Sequence, residues 1–339
     1  MKTQSMRHFR SSMIALVFLL AGILRLAGEE IKTMGEVVVV DPALNKLIEP
    51  GTPIEVLAEG FNWSEGPVWI SDGEFLVFSD VPENRIYKWS EEGGLDVFLE
   101  PSGYTGLPRA NYKQGSNGLA LDENGKLLIC EHGDRRISRL DLKEGKRRVV
   151  VDNYNGSRFN SPNDVVVARN GDFYFTDPCF GLQGKTEDPY REMDYMGVFL
   201  VRKDGEVVLV EDSLETPNGI GLSPDGKILY VCSREKWFRY KLKQDGTLGK
   251  RELIFDAKPL TDAGHRGPTD GMSIDAQGNI WAAAPGGIIV LNPDGKLLGR
   301  IDTGNRSANC CFGDDGKTLY ITSDYYLCRI RTKTEGIDF

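Results

Sequence analysis

Six oxygen-bearing side chains recur along this sequence at equivalent positions of a repeated pattern, at intervals of 52, 46, 55, 52 and 39 residues. Carboxylate and amide oxygens, with little sulfur or imidazole nearby, are the ligands of a hard cation, calcium before magnesium. Calcium takes about six to eight oxygens, so a few protein ligands would leave positions open for water and substrate. The six residues are Glu65, Asn117, Asn163, Asn218, Asp270 and Asn309.

Each of these residues opens a segment with the pattern of several short β-strands. An apolar run, a turn of the form Asp-x-x-Gly or Asp-Gly, and two more apolar runs follow, as in NGLALDENGKLLICEHGDRRISRLD from Asn117. The second run alternates apolar with small or polar residues at a period of two, which indicates a strand. Repeats of about 40–50 residues with three or four strands are typical of β-propeller blades.

The repeats therefore predict an all-β protein, a six-bladed β-propeller over about residues 55–335. The innermost strand of each blade runs along the central channel, so the six polar residues are expected at one mouth of it. The leftover segment 35–48 contains a strand-like run around residues 37–40, which we expect to complete the final blade and close the ring. A β-helix is disfavoured because it needs shorter, more uniform repeats.

A purely structural interpretation of the six residues is the alternative. Asn, Asp and Gly are common in turns, so a loop before each strand could contain them without any chemistry. Glu65 weakens this interpretation because Glu is not a favoured turn residue. Glu65 and Asp270 would also repel each other at one channel mouth unless a cation lay between them.

Residues 1–28 are interpreted as a secretory signal peptide, followed by a single propeller domain over 29–339. Lys2, Arg7 and Arg10 precede the twelve-residue apolar run MIALVFLLAGIL, which is short for a stable membrane span. The protein is therefore expected to be exported, to the periplasm or outside the cell. A short uncleaved tether is the alternative.

The composition excludes several kinds of partner. The net charge is −9, and loss of the four basic residues of segment 1–28 would make it −13. An acidic body argues against binding to nucleic acid or to anionic membranes. A monomer or weak dimer is expected. The six cysteines form no CxxC pair and three lie in apolar runs, so buried free thiols are favoured over disulfides.

Four motifs, in order along the chain, resemble those of the gluconolactonase, regucalcin and luciferin-regenerating-enzyme family, often called the SMP-30 family. The resemblance covers about residues 55–335 and fits the bacterial gluconolactonase type best. It implies a six-bladed propeller that holds one catalytic divalent ion in its channel. The motifs are SEGPVW at 64–69, NSPNDVVV at 160–167, TPNGIG at 216–221 and TDGMSID at 269–275.

The resemblance also implies roles for individual residues. Glu65, Asn163, Asn218 and Asp270 would bind the ion, for which Ca²⁺ is favoured and Mg²⁺, Mn²⁺ and Zn²⁺ are the alternatives. Asp270 would also act as the general base, and Asn163 would serve as a ligand or a substrate contact. Ser161 departs from the regucalcin-like pattern, in which an arginine at this position contacts the substrate, so a regucalcin-type pocket is not expected.

Further residues are candidates for contact with the substrate. Asn117 and Asn163 would hold substrate hydroxyls or the carbonyl, and His132 would donate to the substrate or shuttle a proton. A structural histidine that caps a turn is an equal alternative for His132, and His265 is a weaker candidate. Glu131 is expected to point away from the channel.

Two long insertions, 100–116 and 178–196, are rich in Gly, Pro and Tyr and are expected to form a lid over the channel. Ordinary connections between blades are the alternative. The side chains that could face a sugar are Tyr104, Arg109, Tyr190 and Arg191.

The predicted function is metal-dependent hydrolysis of a sugar lactone, with the ion polarising the lactone carbonyl and Asp270 deprotonating water. Direct coordination of the water is the alternative route to its deprotonation. Three other functions remain open. A luciferin-regenerating or drug-responsive lactonase role would differ only in its substrate. A calcium-dependent phosphotriesterase would use the same ligands, and a non-catalytic propeller would bind a protein or glycan at the channel rim.

Overall fold

Short β-strands make up nearly all of the regular structure. The computed structural model of this protein describes residues 31–106 and 114–337. These residues contain 27 strands, one short α-helix, α1 (Lys258–Asp262), and three 3-10 turns, and none of these helices is long and apolar enough to cross a membrane. The predicted signal peptide lies outside the described residues and stays a prediction. The 3-10 turns are Pro42–Lys46, Ser71–Gly73 and Lys185–Glu187.

Four blades are antiparallel sheets of four consecutive strands each. Two strands precede them, β1 (Glu36–Val39) and β2 (Glu55–Glu59). The first blade contains β3 (Ser64–Ile70), β4 (Phe75–Asp80), β5 (Arg85–Ser90) and β6 (Gly94–Leu99). The second contains β7 (Ser116–Leu121), β8 (Leu127–Glu131), β9 (Arg136–Leu140) and β10 (Arg147–Val151), and a small hairpin follows, β11 (Asn153–Tyr154) and β12 (Ser157–Arg158). The third contains β13 (Val165–Val167), β14 (Phe173–Asp177), β15 (Gly197–Val201) and β16 (Val207–Glu211). The fourth contains β17 (Pro217–Leu222), β18 (Ile228–Ser233), β19 (Lys236–Leu242) and β20 (Leu248–Asp256).

The last two blades each take a strand from the start of the chain. The fifth contains β21 (Met272–Ile274), β22 (Ile280–Ala284), β23 (Gly287–Leu291) and β24 (Leu297–Asp302), and β1 adds to β24 as a fifth strand. The sixth contains β25 (Asn309–Gly313), β26 (Thr318–Ser323) and β27 (Tyr326–Arg331), and β2 pairs with β27 to complete it.

The prediction that the strand around residues 37–40 closes the ring is therefore wrong, because β2 does so. The reason lies in the segment between the two strands. The Asp41 side chain accepts a hydrogen bond from the backbone nitrogen of Ala43 and caps the 3-10 turn that follows. Leu44 and Ile48 then enter the hydrophobic cluster between blades five and six, which carries the chain from one blade to the next.

The inner strands β3, β7, β13, β17, β21 and β25 contact one another in a closed ring. Six hydrophobic clusters fill the spaces between neighbouring blades. Between blades two and three, for example, Cys130 packs with Phe175 and Phe199. The predicted all-β, six-bladed propeller is confirmed. All six cysteines are free, as expected from their apolar surroundings.

Candidate functional site

The six polar residues that open the repeats gather along the channel. All six are buried, with exposed fractions of 2–7%. Five of them line one cavity of about 430 Å³, which falls within the range of about 300–1,000 Å³ typical of small-ligand pockets. The sixth, Asn309, lies beside it and donates from its side-chain nitrogen to Glu65 Oε2 over 3.4 Å.

Hydrogen bonds between asparagine side chains link three neighbouring blades. Asn117 Nδ2 donates to Asn163 Oδ1 over 2.9 Å, and Asn163 Nδ2 donates to Asn218 Oδ1. Asn218 Nδ2 donates to the Thr269 carbonyl over 3.2 Å. His132 Nε2 also lies 3.0 Å from Asn163 Oδ1. Both lone pairs of this oxygen are therefore engaged, so binding of a cation to it requires one donor to be released.

The His132 imidazole is buried and uncharged. Burial lowers the pKa of His132 to about 4, the hydrogen bond to Asn163 opposes this change, and the Lys185 charge adds to it. Because Asn163 Oδ1 can only accept, Nε2 of the neutral ring carries the proton and donates to it. Nδ1 is left as an acceptor and lies 3.3 Å from Gln114 Oε1, which also only accepts, so a hydrogen bond between the two side chains requires the Gln114 amide to turn and donate from its nitrogen. The structure thus brings His132 to the cavity, as one sequence interpretation expected.

Glu65 and Asp270 lie in this cavity, and the part of the chain that the structure describes offers neither carboxylate a cationic partner. Within the described residues, no lysine, arginine or histidine nitrogen lies within 4.0 Å of either carboxylate. Burial and the Asp164 charge raise the pKa of Glu65 to about 7. Burial, the Glu65 charge and the Asp164 charge raise the pKa of Asp270 well above its usual value. Buried carboxylates that repel each other are stabilised by a cation between them.

Asp164 is a buried carboxylate that the sequence interpretation did not single out. Burial raises its pKa to about 7, and its carboxylate accepts hydrogen bonds from the backbone nitrogens of Val165 (3.0 Å) and Ile220 (3.3 Å). It lines a second cavity of about 320 Å³ whose walls are mostly apolar inner-strand residues. Asp164 therefore joins two blades while adding negative charge near Glu65 and Asp270.

The donor set fits a hard dication. Among the described residues, no group of three or more His, Cys, Asp or Glu side chains could hold a metal ion. Amide oxygens would therefore have to complete the shell of the two carboxylates, which suits calcium and does not suit zinc, a metal that prefers nitrogen and sulfur. The cavity residues that could supply these carboxylate and amide oxygens are Glu65, Asp270, Asn163 and Asn218.

The loop that carries Asn163 is fixed by a buried carboxylate. Asp177, at the end of β14, accepts hydrogen bonds from the backbone nitrogens of Asn160 and Ser161, each over 2.7 Å. Burial raises the pKa of Asp177 to about 7, and these two hydrogen bonds oppose the change. The motif NSPND therefore owes its shape partly to a residue outside the motif.

Ser161 connects this loop to the insertion at 178–196. Its Oγ donates to the Pro178 carbonyl and accepts from the Gly181 nitrogen over 2.9 Å. A Cβ atom on Gly181 would lie 2.6 Å from the Ser161 Cβ and 3.0 Å from the His132 Cβ. The insertion therefore packs directly on His132. Ser161, which stands where regucalcin-like members have an arginine, has a structural role here.

Two motif glycines allow neighbouring inner strands to approach closely. A Cβ on Gly219, in the motif TPNGIG, would lie 2.1 Å from the Asp270 carbonyl oxygen. Gly66, in SEGPVW, has a φ of +50°, and a Cβ there would lie 2.4 Å from the Asn117 carbonyl oxygen. Both contacts are with backbone atoms, so only glycine fits without a shift of the strands.

Several cavity residues were missed by the sequence interpretation. They come from loops that differ between repeats, so the repeat gives no signal for them. The Arg306 guanidinium pairs with Asp324 and lies 4.8 Å from the Trp63 ring centre. Lys185 and Phe180 belong to the insertion 178–196 and form part of the wall. The missed residues are Trp63, Gln114, Phe180, Lys185 and Arg306.

Other candidates lie apart from the described cavity wall. Tyr104 is half-buried, and its carbonyl accepts from Asn84 Nδ2 over 2.9 Å. Arg109 lies outside the described residues, so its predicted role stays a prediction. His265 is not in the wall, although Gly267 and Pro268 of its loop are.

Three further residues also lie away from that wall. The Tyr190 carbonyl accepts a hydrogen bond from Arg135, and the Arg191 guanidinium faces the Asn160 side chain. Glu131 is paired with Arg136, which agrees with the expectation that it points away from the channel.

The fold and the cavity define a class: a six-bladed β-propeller with a ligand-sized cavity in its central channel, lined by buried carboxylate and amide side chains. A family model described as "SMP-30/Gluconolactonase/LRE-like region" matches residues 63–325. The chain therefore belongs to the SMP-30/gluconolactonase/LRE-like family, as its motifs suggested.

Two curated relatives and one solved structure show this similarity. A gluconolactonase of Zymomonas mobilis is 43% identical over 314 residues, which cover 90% of this chain and 88% of the relative. A pentonolactonase of Haloferax volcanii is 30% identical, covering 76% of this chain and 80% of the relative. The structure of a gluconolactonase from Xanthomonas campestris is 31% identical with a TM-score of 0.77, covering 91% of this chain and 99% of that one.

Proposed function

We propose that this protein hydrolyses a sugar lactone in the channel cavity, with a hard dication, Ca²⁺ before other metals, as its cofactor. One observation carries the proposal: Glu65 and Asp270 are buried beside each other's charge in a ligand-sized cavity, and no lysine, arginine or histidine of the described residues pairs with either carboxylate. The 43% identity to a gluconolactonase supports lactones as the substrate class.

Glu65 and Asp270 would hold the ion together with side-chain oxygens of Asn163 and Asn218. When bound, the ion would polarise the lactone carbonyl and stabilise the charge that develops on its oxygen. Asn163 takes part only if it releases the donor groups of Asn117 or His132 from its oxygen. Those released donors would then be free to bind substrate oxygens.

Asp270 is the proposed general base for the attacking water. In the metal-free cavity, burial and the Glu65 and Asp164 charges raise the pKa of Asp270, and a bound dication would lower it and keep the carboxylate ionised, as a base must be. A carboxylate has two oxygens, so one can face the ion while the other accepts the proton. A carboxylate base is useful because calcium acidifies bound water less than zinc does.

His132 and Asn117 are proposed to bind and orient the substrate. Both already point a donor group at Asn163 Oδ1 inside the cavity. The neutral His132 can donate from Nε2 to a substrate oxygen without bringing a charge into the site. Amide and imidazole donors suit the hydroxyls and carbonyl of a sugar lactone.

The test is a panel of sugar lactones assayed after EDTA treatment and again with Ca²⁺, Mg²⁺, Mn²⁺ or Zn²⁺ restored. We expect hydrolysis to disappear with EDTA and to return best with Ca²⁺. Asp270→Ala should abolish turnover and weaken metal binding, whereas Asp225→Ala, an exposed aspartate in a turn of blade four, should not.

Three results would contradict the proposal. The first is full lactone hydrolysis in EDTA, and the second is wild-type turnover by Asp270→Ala. The third is hydrolysis of a phosphotriester with every lactone left intact, which would favour the phosphotriesterase alternative.

A further inference from the structure

Lys185 brings a positive charge to the wall of the candidate site. It lines the same cavity as Glu65, Asp270 and His132. Its ammonium donates to the Phe180 carbonyl over 2.7 Å, which leaves two further N–H groups to bind a ligand. Within the described residues, no carboxylate lies within 4.0 Å of this ammonium.

The segment around Lys185 holds it in an unusual backbone conformation. Lys185 has a φ of +52°, in the left-handed region that residues with a side chain rarely adopt. The buried Asp188 carboxylate fixes the segment by accepting from the backbone nitrogens of Gly184 (2.8 Å) and Tyr190 (2.9 Å). Such conformations persist where surrounding contacts maintain them, and they often occur at ligand sites.

The other basic side chains of the described wall already have partners. Arg306 makes hydrogen bonds to both carboxylate oxygens of Asp324, over 2.9 and 3.1 Å. His132 Nε2 lies 3.0 Å from Asn163 Oδ1, and Lys185 lines the same cavity as this imidazole.

A dication held by Glu65 and Asp270 would offset the charge of those two carboxylates. Among the described residues of the wall, Lys185 would then be the basic group that no carboxylate within 4.0 Å pairs with, while Asp164 lines the second cavity. Charge-assisted hydrogen bonds from an ammonium favour carboxylate or phosphate oxygens over hydroxyl groups.

We propose that Lys185 is a specificity-determining residue, and that the preferred lactones carry a second, anionic group, either a carboxylate or a phosphate. This inference rests on the proposed lactonase function and names the substrate class of the same site. The anion would accept from the two N–H groups of Lys185 that the Phe180 carbonyl leaves open.

The experiment compares kcat/KM of the full chain, with Ca²⁺ present, for three lactones. Glucono-1,5-lactone is neutral, its 6-phosphate carries a phosphate, and a lactone of glucaric acid carries a carboxylate. We expect the wild type to prefer one of the two anionic lactones over the neutral one. The comparison of the phosphate with the carboxylate then identifies which anion binds. Lys185→Met should lower the ratio of anionic to neutral kcat/KM by about 10- to 100-fold, and Lys185→Arg should retain most of it.

Lys227→Met is the matched control, because Lys227 lies in a turn of blade four and pairs with Asp225. It should leave the ratio unchanged. An equal loss on all three lactones in Lys185→Met would show that Lys185 only supports the loop, and would overturn the inference. So would a wild-type preference for the neutral lactone.

A binding measurement separates this inference from the proposed function. Isothermal titration with gluconate, glucarate and 6-phosphogluconate needs no turnover. Inactivity on every lactone would contradict the proposed function alone. A Lys185→Met variant that binds both glucarate and 6-phosphogluconate as tightly as the wild type would contradict the role of Lys185 alone.

Discussion

Replacing Glu65 with Gln should stabilise the metal-free protein. The substitution keeps the size of the side chain, and its oxygen can still accept from the Gly66 nitrogen, which lies 2.9 Å from the carboxylate. Burial and the Asp164 charge raise the pKa of Glu65 from 4.5 to about 7. At about 1.36 kcal/mol per pH unit, this difference corresponds to about 3 kcal/mol of destabilisation when Glu65 is ionised.

The sign of the pH dependence follows from the raised pKa. Between pH 4.5 and 7 the folded protein keeps a proton that the unfolded chain has released. The stability contributed by Glu65 is therefore present below pH 4.5 and is lost as the pH rises through about 7. In EDTA at pH 8, Glu65→Gln should unfold with a free energy up to about 3 kcal/mol above that of the wild type, and at pH 4.5 the difference should shrink.

The assay is urea denaturation in EDTA at both pH values, with Glu92→Gln, an exposed glutamate of blade one, as the control. Ca²⁺ at about 1,000 times its dissociation constant should reverse the order, since an ion at that concentration adds about 4.1 kcal/mol to the protein that binds it. A wild type as stable as Glu65→Gln at pH 8 in EDTA would refute the reasoning, because Glu65 would then have no unfavourable burial to relieve.

Three further substitutions test the geometry of the site. Gly219→Ala places a Cβ 2.1 Å from the Asp270 carbonyl oxygen and should lower the free energy of unfolding in urea by about 1–3 kcal/mol or more. Ser161→Ala leaves the Gly181 nitrogen without its acceptor, so we expect a loss of about 1–3 kcal/mol and a raised KM. Burial lowers the pKa of His132 to about 4, so the imidazole stays neutral above pH 5. The pH profile of kcat/KM should therefore show no inflection near pH 6.5 that arises from His132. An inflection there that is present in the wild type and absent in His132→Gln would contradict this.

The sequence was sufficient for the blades and for the polar residues that open them. Strand patterns repeated at intervals of 39–55 residues specify the propeller, and a Glu, Asn or Asp opens each repeat at the same point. Asn117, Asn163 and Asn218 could therefore be placed together, and they form one hydrogen-bonded chain. This inference succeeded because equivalent positions of the sequence repeat occupy equivalent positions in each blade.

Features outside the repeat could not be read in the same way. The run VVVV at 37–40 predicts a strand, but nothing in it specifies whether its partner belongs to blade five or blade six. That choice depends on the packing of Leu44 and Ile48 after the strand. Lys185 and Gln114 reach the cavity through loops whose paths depend on distant contacts, such as the bond from Ser161 to the Pro178 carbonyl.

Isothermal titration of the EDTA-stripped protein with CaCl₂ tests the central claim most directly. We predict one Ca²⁺ per chain, with binding weakened strongly in Glu65→Gln and in Asp270→Ala and unaltered in Glu92→Gln. Absence of binding at millimolar Ca²⁺, or wild-type affinity in both cavity variants, would contradict a cation held between Glu65 and Asp270.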